Sequence, residues 1–375
     1  MIRPFLKSAG GKSWLAPSIA PAIVDRLRGG AYVEPFLGGG AVALAVAAER
    51  SGTVVIAADA NPHLIGTWMA IRNAPGAVAD ALDGLRARGV DRATYLAIRA
   101  EAPPDAIGIA ARTIYLNHVG FNGLHRVNRA GRFNVPWGGP GRRLPSSDHL
   151  LEIGRAVSSW DFYHRDACDV IAGVLGEPAD AIYCDPPYEG TFSAYTAAGF
   201  GERDHDFLAA ACEAAHRRGV GVLVSSRDTE AARRRYGWGQ MLTFEKLHLI
   251  GARARRRGNG LEALFGSPDL IAAVAALAPQ AQRRHDFADA REAMSAFWEA
   301  NMEAIEGSDF SSPDRRIDRD RFDAVREKYD RDVRTFRQAF GLCVGRARTW
   351  REFDLETLRA LPGLEEVRTP SPEGV

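Results

Sequence analysis

The stretch from Ala31 to Asp59 narrows the fold more than any other part of the chain. Ala31-Tyr32-Val33-Glu34-Pro35-Phe36 is an apolar run of strand length, and it enters Gly38-Gly39-Gly40. Ala41 to Arg50, rich in Ala, Val and Leu, has helical length. Thr53-Val54-Val55-Ile56-Ala57-Ala58 is a second strand run, ending at Asp59. Strand, glycine turn, helix and strand open a parallel α/β sheet. The pattern resumes at Ala181-Ile182-Tyr183-Cys184, with a helix over Phe207 to Arg217 and a strand at Val220-Gly221-Val222-Leu223-Val224-Ser225.

Between these halves, Asn61 to about Ala111 reads as mostly helical, interrupted at Ala102-Pro103-Pro104. Asn117 to Arg143 is a loop-rich segment dense in Gly, Asn, Arg and aromatics. Beyond Ser267-Pro268 the character changes. Phe322, Val325, Tyr329, Val333, Phe336 and Phe340 keep three- and four-residue spacing, and Phe287, Met294, Phe297, Trp298 and Ile305 suggest a second amphipathic helix. The expected organisation is a catalytic α/β domain from 1–60 and 160–268, an insertion over 61–159, and a helical extension over 269–375.

Composition limits the function. Of 375 residues, 46% are hydrophobic and 25% charged, as in ordinary globular chains. The net charge of +1 assigns any nucleic-acid affinity to local basic clusters and argues against a non-specific coat protein. The 4 cysteines (Cys168, Cys184, Cys212, Cys343) form no CxxC pair, and the 9 histidines pair with no carboxylate or cysteine at ligand spacing; no metal is expected. No apolar run has bilayer-spanning length and no signal peptide opens the chain, so a cytoplasmic protein without membrane contact is expected.

Asp185-Pro186-Pro187-Tyr188 carries the most specific chemistry. Two prolines after a buried strand fix the backbone, since each locks φ and lacks an N–H. The Asp185 carboxylate and the Pro186 carbonyl are thereby aimed at one point. An exocyclic amine has two hydrogens to donate, and these acceptors match them. Tyr188 adds an aromatic face on which a base can stack. In Glu34-Pro35-Phe36-Leu37-Gly38-Gly39-Gly40 the glycines admit a ligand close to the backbone. Amides at the following helix N-terminus suit a carboxylate or phosphate. Asp59, at the end of the second strand, is placed to bond ribose hydroxyls.

The chain resembles the Dam-type adenine methyltransferases, in which the cofactor motif precedes the catalytic motif. Four blocks carry the resemblance in the family's order, over roughly residues 5 to 268: Phe5-Leu6-Lys7-Ser8-Ala9-Gly10-Gly11-Lys12, the turn from Glu34 to Gly40, Tyr115-Leu116-Asn117 through Phe133-Asn134-Val135-Pro136, and Cys184-Asp185-Pro186-Pro187-Tyr188. It implies a Rossmann-like methyltransferase sheet, S-adenosylmethionine as cofactor, and N6 methylation of a flipped adenine in double-stranded DNA. Gly10, Gly11 and Lys12 would surround the methionine end of the cofactor, with Ser8 standing where the family usually has an aromatic. Asp166 would bond the cofactor's adenine amine, with Asp169 a rival.

Phe121-Asn122-Gly123-Leu124-His125-Arg126-Val127-Asn128 looks like the family's DNA-reading hairpin. Asn122-Gly123 is a tight-turn signal. Arg126 and Asn128 can read base edges, and Phe121 can fill the space a flipped base leaves. Lys7 and Leu124 would join these contacts; relatives commonly act on GATC, which Phe121, Leu124 and Arg126 suit. Arg253, Arg255, Arg256 and Arg257 are candidate phosphate contacts, whereas Arg233-Arg234-Arg235 reads as an exposed helix face. Cytosine-N4 methylation poses the same geometric problem and stands as the alternative, beside a catalytically weakened DNA-binding relative. An oxidoreductase would need a hydride-transfer site that the sequence lacks.

Overall fold

Alternation along the strands sorts the core into two layers. In a computed structural model that describes residues 2–8, 11–128, 132–174, 179–189, 200–244 and 262–278, seven strands form one sheet. They are β1 (Ala31–Glu34), β2 (Val55–Asp59), β3 (Asp161–His164), β4 (Ala179–Cys184), β5 (Gly221–Arg227), β6 (Gln240–Phe244) and β7 (Glu262–Gly266), in the order β3-β2-β1-β4-β5-β7-β6. The first five are parallel, and β7 runs antiparallel to both β5 and β6. Tyr32, Ala181, Tyr183, Leu223 and Leu264 face one core, while Val33, Ile182, Cys184, Val222, Val224 and Phe265 face the other. This is the period of two that a pleated strand imposes.

Helices cover both faces. One core is shared with α1 (Ala16–Arg26), α2 (Ala41–Glu49), α3 (Pro62–Asn73), α4 (Pro75–Arg88), α5 (Arg92–Ala100), α6 (Ala106–Val119) and α7 (Ser147–Ala156). The other takes α8 (Ala167–Val174), α9 (Glu202–Arg217) and α10 (Glu230–Arg235). Residues 268–278 are also helical, and Leu270, Ile271 and Val274 are buried in the first core. The architecture is α/β and Rossmann-like, as the opening strand–turn–helix–strand predicts. Among the described residues, the expected strands and helices stand where the sequence places them, with ends shifted by a few residues: β1 stops at Glu34, and α9 begins at Glu202.

From α3 to α7 the described residues contain helices, loops and a short 3₁₀ turn at Phe121–Gly123, but no named strand. Capping explains where the helices begin. Asn61 accepts from the His63 and Leu64 amides ahead of Pro62 at the start of α3, and Asp91, Asp105 and Ser146 cap α5, α6 and α7. Trp68 of α3 joins this helical group to the sheet. It is fully buried, stacks with Trp160 and Phe162, meets Phe5 edge-on at 4.6 Å, and donates Nε1–H to the Gly38 carbonyl at 3.1 Å.

Three expectations fall outside the described residues: Gly10, the cluster of Arg253, Arg255, Arg256 and Arg257, and the C-terminal amphipathic spacing that includes Phe322 and Phe340. One expectation is corrected. Arg233 and Arg234 are exposed, but the Arg235 side chain is only 11% exposed and reaches Glu189 and Asp206. Carboxylates from neighbouring segments, Glu189, Glu202 and Asp206, take the guanidinium.

Candidate active site

The parallel strands deliver their last residues to one edge of the sheet. Glu34 ends β1, Asp59 ends β2, and Asp185 follows β4. The chain reverses its direction of progression between β1 and β4, leaving the crevice in which open α/β sheets bind ligands.

The glycine turn leans on its surroundings. Gly40 caps α2 at φ +68, and a Cβ there would stand 2.7 Å from the Trp68 ring. Gly38 is also at positive φ, and Ser8 packs against it. Asp59 accepts from the Gly38 amide at 3.0 Å and the Asn61 amide at 2.8 Å, one on each oxygen. Each oxygen keeps a second lone pair for a hydroxyl donor. Burial raises its pKa above the usual carboxylate value, against those two amides.

Glu34 is buried and accepts from Tyr32 Oη at 2.6 Å. Burial pushes its carboxyl up to about 8; the Tyr32 hydroxyl and the Ala43 amide oppose that, while nearby Asp185 adds to it. The first-turn amide of α2 at Ala43 therefore already has an internal carboxyl partner. Pro35 is buried, and Phe36 meets Phe200 edge-on at 5.7 Å. Asp166 is exposed and accepts from the Cys168 amide at 2.8 Å, capping α8.

Around Asp185-Pro186-Pro187-Tyr188 the site is polar and half-buried. Lys12 Nζ donates to Asp185 Oδ1 at 2.8 Å and to Oδ2 at 3.0 Å. The same ammonium lies 4.9 Å from the centroid of the Tyr188 ring and 3.9 Å from Glu262 Oε1. Tyr188 Oη donates to Glu262 Oε1 at 3.4 Å. Burial and the two carboxylates hold the Tyr188 phenol well above its ordinary pKa, which keeps it neutral. Tyr183, one strand turn beneath Asp185, pairs with Ser225 at 2.8 Å. Lys12, read from the sequence as a cofactor contact, thus has its ammonium on the Asp185-Pro186-Pro187-Tyr188 tetrapeptide.

Sequence reasoning missed Glu262. It opens β7 opposite Arg227 of β5, and because β7 runs backwards its first residue reaches the edge where the parallel strands end. A lone acid at a strand start carries no signal until that strand's direction is known.

The block from Phe121 to Asn128, expected to read DNA, carries exposed side chains and is braced from beneath. Phe121 is 43% and Leu124 36% exposed. Asn122 and Gly123 both take positive φ, 53 and 63, and the Leu124 amide closes the turn on the Phe121 carbonyl at 3.2 Å. That turn is separate from the hairpin beyond it, whose rungs run from Asn134 N–H to the Arg126 carbonyl and from Asn128 N–H to the Arg132 carbonyl. Arg126 donates Nε–H to Asn134 Oδ1 at 2.7 Å. Asn117 is a strut the sequence did not assign: its side chain bonds both backbone groups of Lys7 and the Gly123 carbonyl. Lys7 and Phe121 to Gly123 are therefore one unit. The His118 ring nitrogens lie against the Phe5 and Arg143 carbonyls, and the neutral ring donates to one of them as a local hydrogen-bonder.

No group of His, Cys, Asp and Glu able to hold a metal occurs among the described residues, and none of their helices is long and apolar enough to cross a membrane.

A family model for D12 class N6 adenine-specific DNA methyltransferases matches residues 8–248. The chain is 32% identical over 274 residues to the DNA adenine methylase of Vibrio cholerae, covering 70% of this chain and 96% of that protein. It is 31% identical over 266 residues to the DNA adenine methylase of Escherichia coli K12, covering 69% and 90%. To a type II methyltransferase of Lactococcus lactis it is 27% identical over 274 residues, covering 68% and 92%. The chain therefore belongs to the D12 class of N6 adenine-specific DNA methyltransferases, and the reaction it carries out is methylation of adenine N6 in DNA.

Proposed function

We propose that this chain takes a flipped adenine from duplex DNA, holds its amine on Asp185 and the Pro186 carbonyl, and stacks its ring on Tyr188. The observation that carries this reading is the half-buried cradle of Asp185 and Tyr188, which already accommodates a nitrogen, the Lys12 ammonium. Pro187 stiffens that cradle. Two acceptors on one amine concentrate its lone pair on nitrogen, and positioning supplies the remainder of the rate.

S-adenosylmethionine, when bound, supplies an activated methyl group. The residues present fit such a cofactor. Gly38 and Gly40 leave the backbone of the turn bare, Asp59 keeps lone pairs for ribose hydroxyls, and Asp166 is an exposed acid near the same edge. Gly10, Gly11, Lys12, Glu34, Pro35 and Phe36 complete the proposed lining. Residues 1–60 and 160–268 serve as the catalytic domain, 61–159 as the target-recognition insert, and 269–375 as a helical extension. Lys7, Phe121, Asn122, Leu124, Arg126 and Asn128 read a specific duplex site.

Expression in a host free of DNA methylation, followed by mapping of modified bases, tests the whole reading. N6-methyladenine at one recurrent sequence is the expected result. Modified cytosine, or adenine marks without a shared sequence, overturns it.

A further inference from the structure

The Lys12 ammonium stands where a bound amine would stand. It donates to both oxygens of Asp185 and lies over the Tyr188 ring. Those are the contacts assigned above to the target base, so an entering adenine amine competes for them with the ammonium. For the amine to take them, Nζ must release Asp185 while only 4% of the lysine side chain reaches solvent. An enclosed cation is costly unless another anion receives it.

Glu262 is placed to be that anion. Its Oε1 lies 3.9 Å from Nζ, so a shift of about 1 Å converts the contact into a hydrogen bond. A lysine side chain is flexible enough for such a shift, whereas Glu262 is anchored by a strand paired on both sides. Its Oε1 also accepts from Tyr188 Oη, which ties it to the aromatic ring.

We propose that Lys12 is an internal stand-in for the target amine, and that Glu262 is the positioning residue that takes its ammonium when adenine enters. The proposal rests on the reading of Asp185 and Tyr188 as the residues that hold the base. It also accounts for product release: N6-methyladenine keeps one N–H where adenine has two, so the returning ammonium competes better against product than against substrate.

The test compares two duplexes that differ only in the target base, adenine or purine, the latter lacking the amino group. Binding is measured with S-adenosylhomocysteine present, so that no reaction occurs. The wild-type enzyme is expected to prefer adenine by about tenfold, as for one good hydrogen-bonding contact. In Glu262→Gln, which keeps shape and the acceptor for Tyr188, the preference should collapse toward one, with purine-duplex affinity held within about threefold. Adding Lys12→Met to Glu262→Gln should restore the preference, because no cation is left to relocate. A wild-type preference retained in Glu262→Gln, or a double variant as indifferent as Glu262→Gln, overturns the proposal. Should Glu262→Gln fail to fold by thermal melting, Lys12→Met alone decides: its preference must exceed that of the wild type, and an equal or lower one overturns the proposal. A wild-type preference of one would instead overturn the underlying base-holding reading.

Discussion

Lys12 Nζ lies 2.8 Å from Asp185 Oδ1, tying the first segment of the chain to the end of β4 across 173 residues. Asp185→Ala therefore removes the proposed amine acceptor and half of a nearly buried ion pair. Methyl transfer is expected to fall below detection while binding of duplex DNA persists, since the Phe121-to-Asn128 block proposed to read DNA is untouched. Because Asp185 is itself 25% exposed and Glu262 remains nearby, the stability cost should be roughly 1–3 kcal/mol, less than for a fully buried pair. Single-turnover methylation, gel-shift affinity and urea denaturation check the three parts; turnover at the wild-type rate would sink the assignment.

The buried Glu34 carboxyl predicts a pH dependence of stability with a definite sign. Burial pushes its carboxyl from 4.5 up to about 8, so the folded protein holds a proton that the unfolded chain releases above 4.5. The stability contributed by protonated Glu34 is fully present below the unfolded value and is lost as pH rises through about 8. The loss should amount to a few kcal/mol. Melting temperature measured from pH 5 to pH 9 should decline more steeply in the wild type than in Glu34→Gln, which carries no titrating group. Parallel declines would show that another group is responsible.

Gly40→Ala tests the turn. At φ +68 a side chain is strained whatever the space, and here the added carbon meets the Trp68 ring at 2.7 Å. Trp68 cannot retreat easily, because it is stacked against Trp160 and Phe162 and bonded to the Gly38 carbonyl. A loss of about 2–4 kcal/mol is expected from strain and overpacking together. Weaker S-adenosylmethionine binding by isothermal titration should accompany it, with DNA affinity less affected.

The sheet was legible wherever local pattern decides structure. Ala31 to Asp59 and Ala181 to Asp185 combine strand-length apolar runs with turn chemistry, and both fold as expected. What could not be read depends on pairing between distant segments. Asp161–His164 has one buried residue in four and forms a strand because β2 offers it an edge. Glu262 becomes part of the site only through the reversed direction of β7. Lys12 was visible as a residue of the first block, but its ammonium is drawn to Asp185 by burial and charge, which spacing does not encode. Asn117 was likewise visible within a motif, yet its function as a strut follows from Lys7 and Gly123 meeting over it.

Arg126 offers the sharpest test of how the site is chosen. Its guanidinium spends Nε–H and one Nη2–H on Asn134, at 2.7 and 3.2 Å, which orients the fork and leaves three N–H groups for a base edge. Arg126→Ala should therefore cost about 1–3 kcal/mol of discrimination at one position of the target sequence. Asn134→Ala should lose part of that discrimination by freeing the fork without removing it. The measurement is kcat/KM on the mapped site and on duplexes with each base pair replaced in turn. A base-reading arginine flattens the profile at a single position. A uniform loss across all duplexes, with a shallower salt dependence, would make Arg126 a phosphate contact and transfer the reading function to Lys7, Leu124 or Asn128.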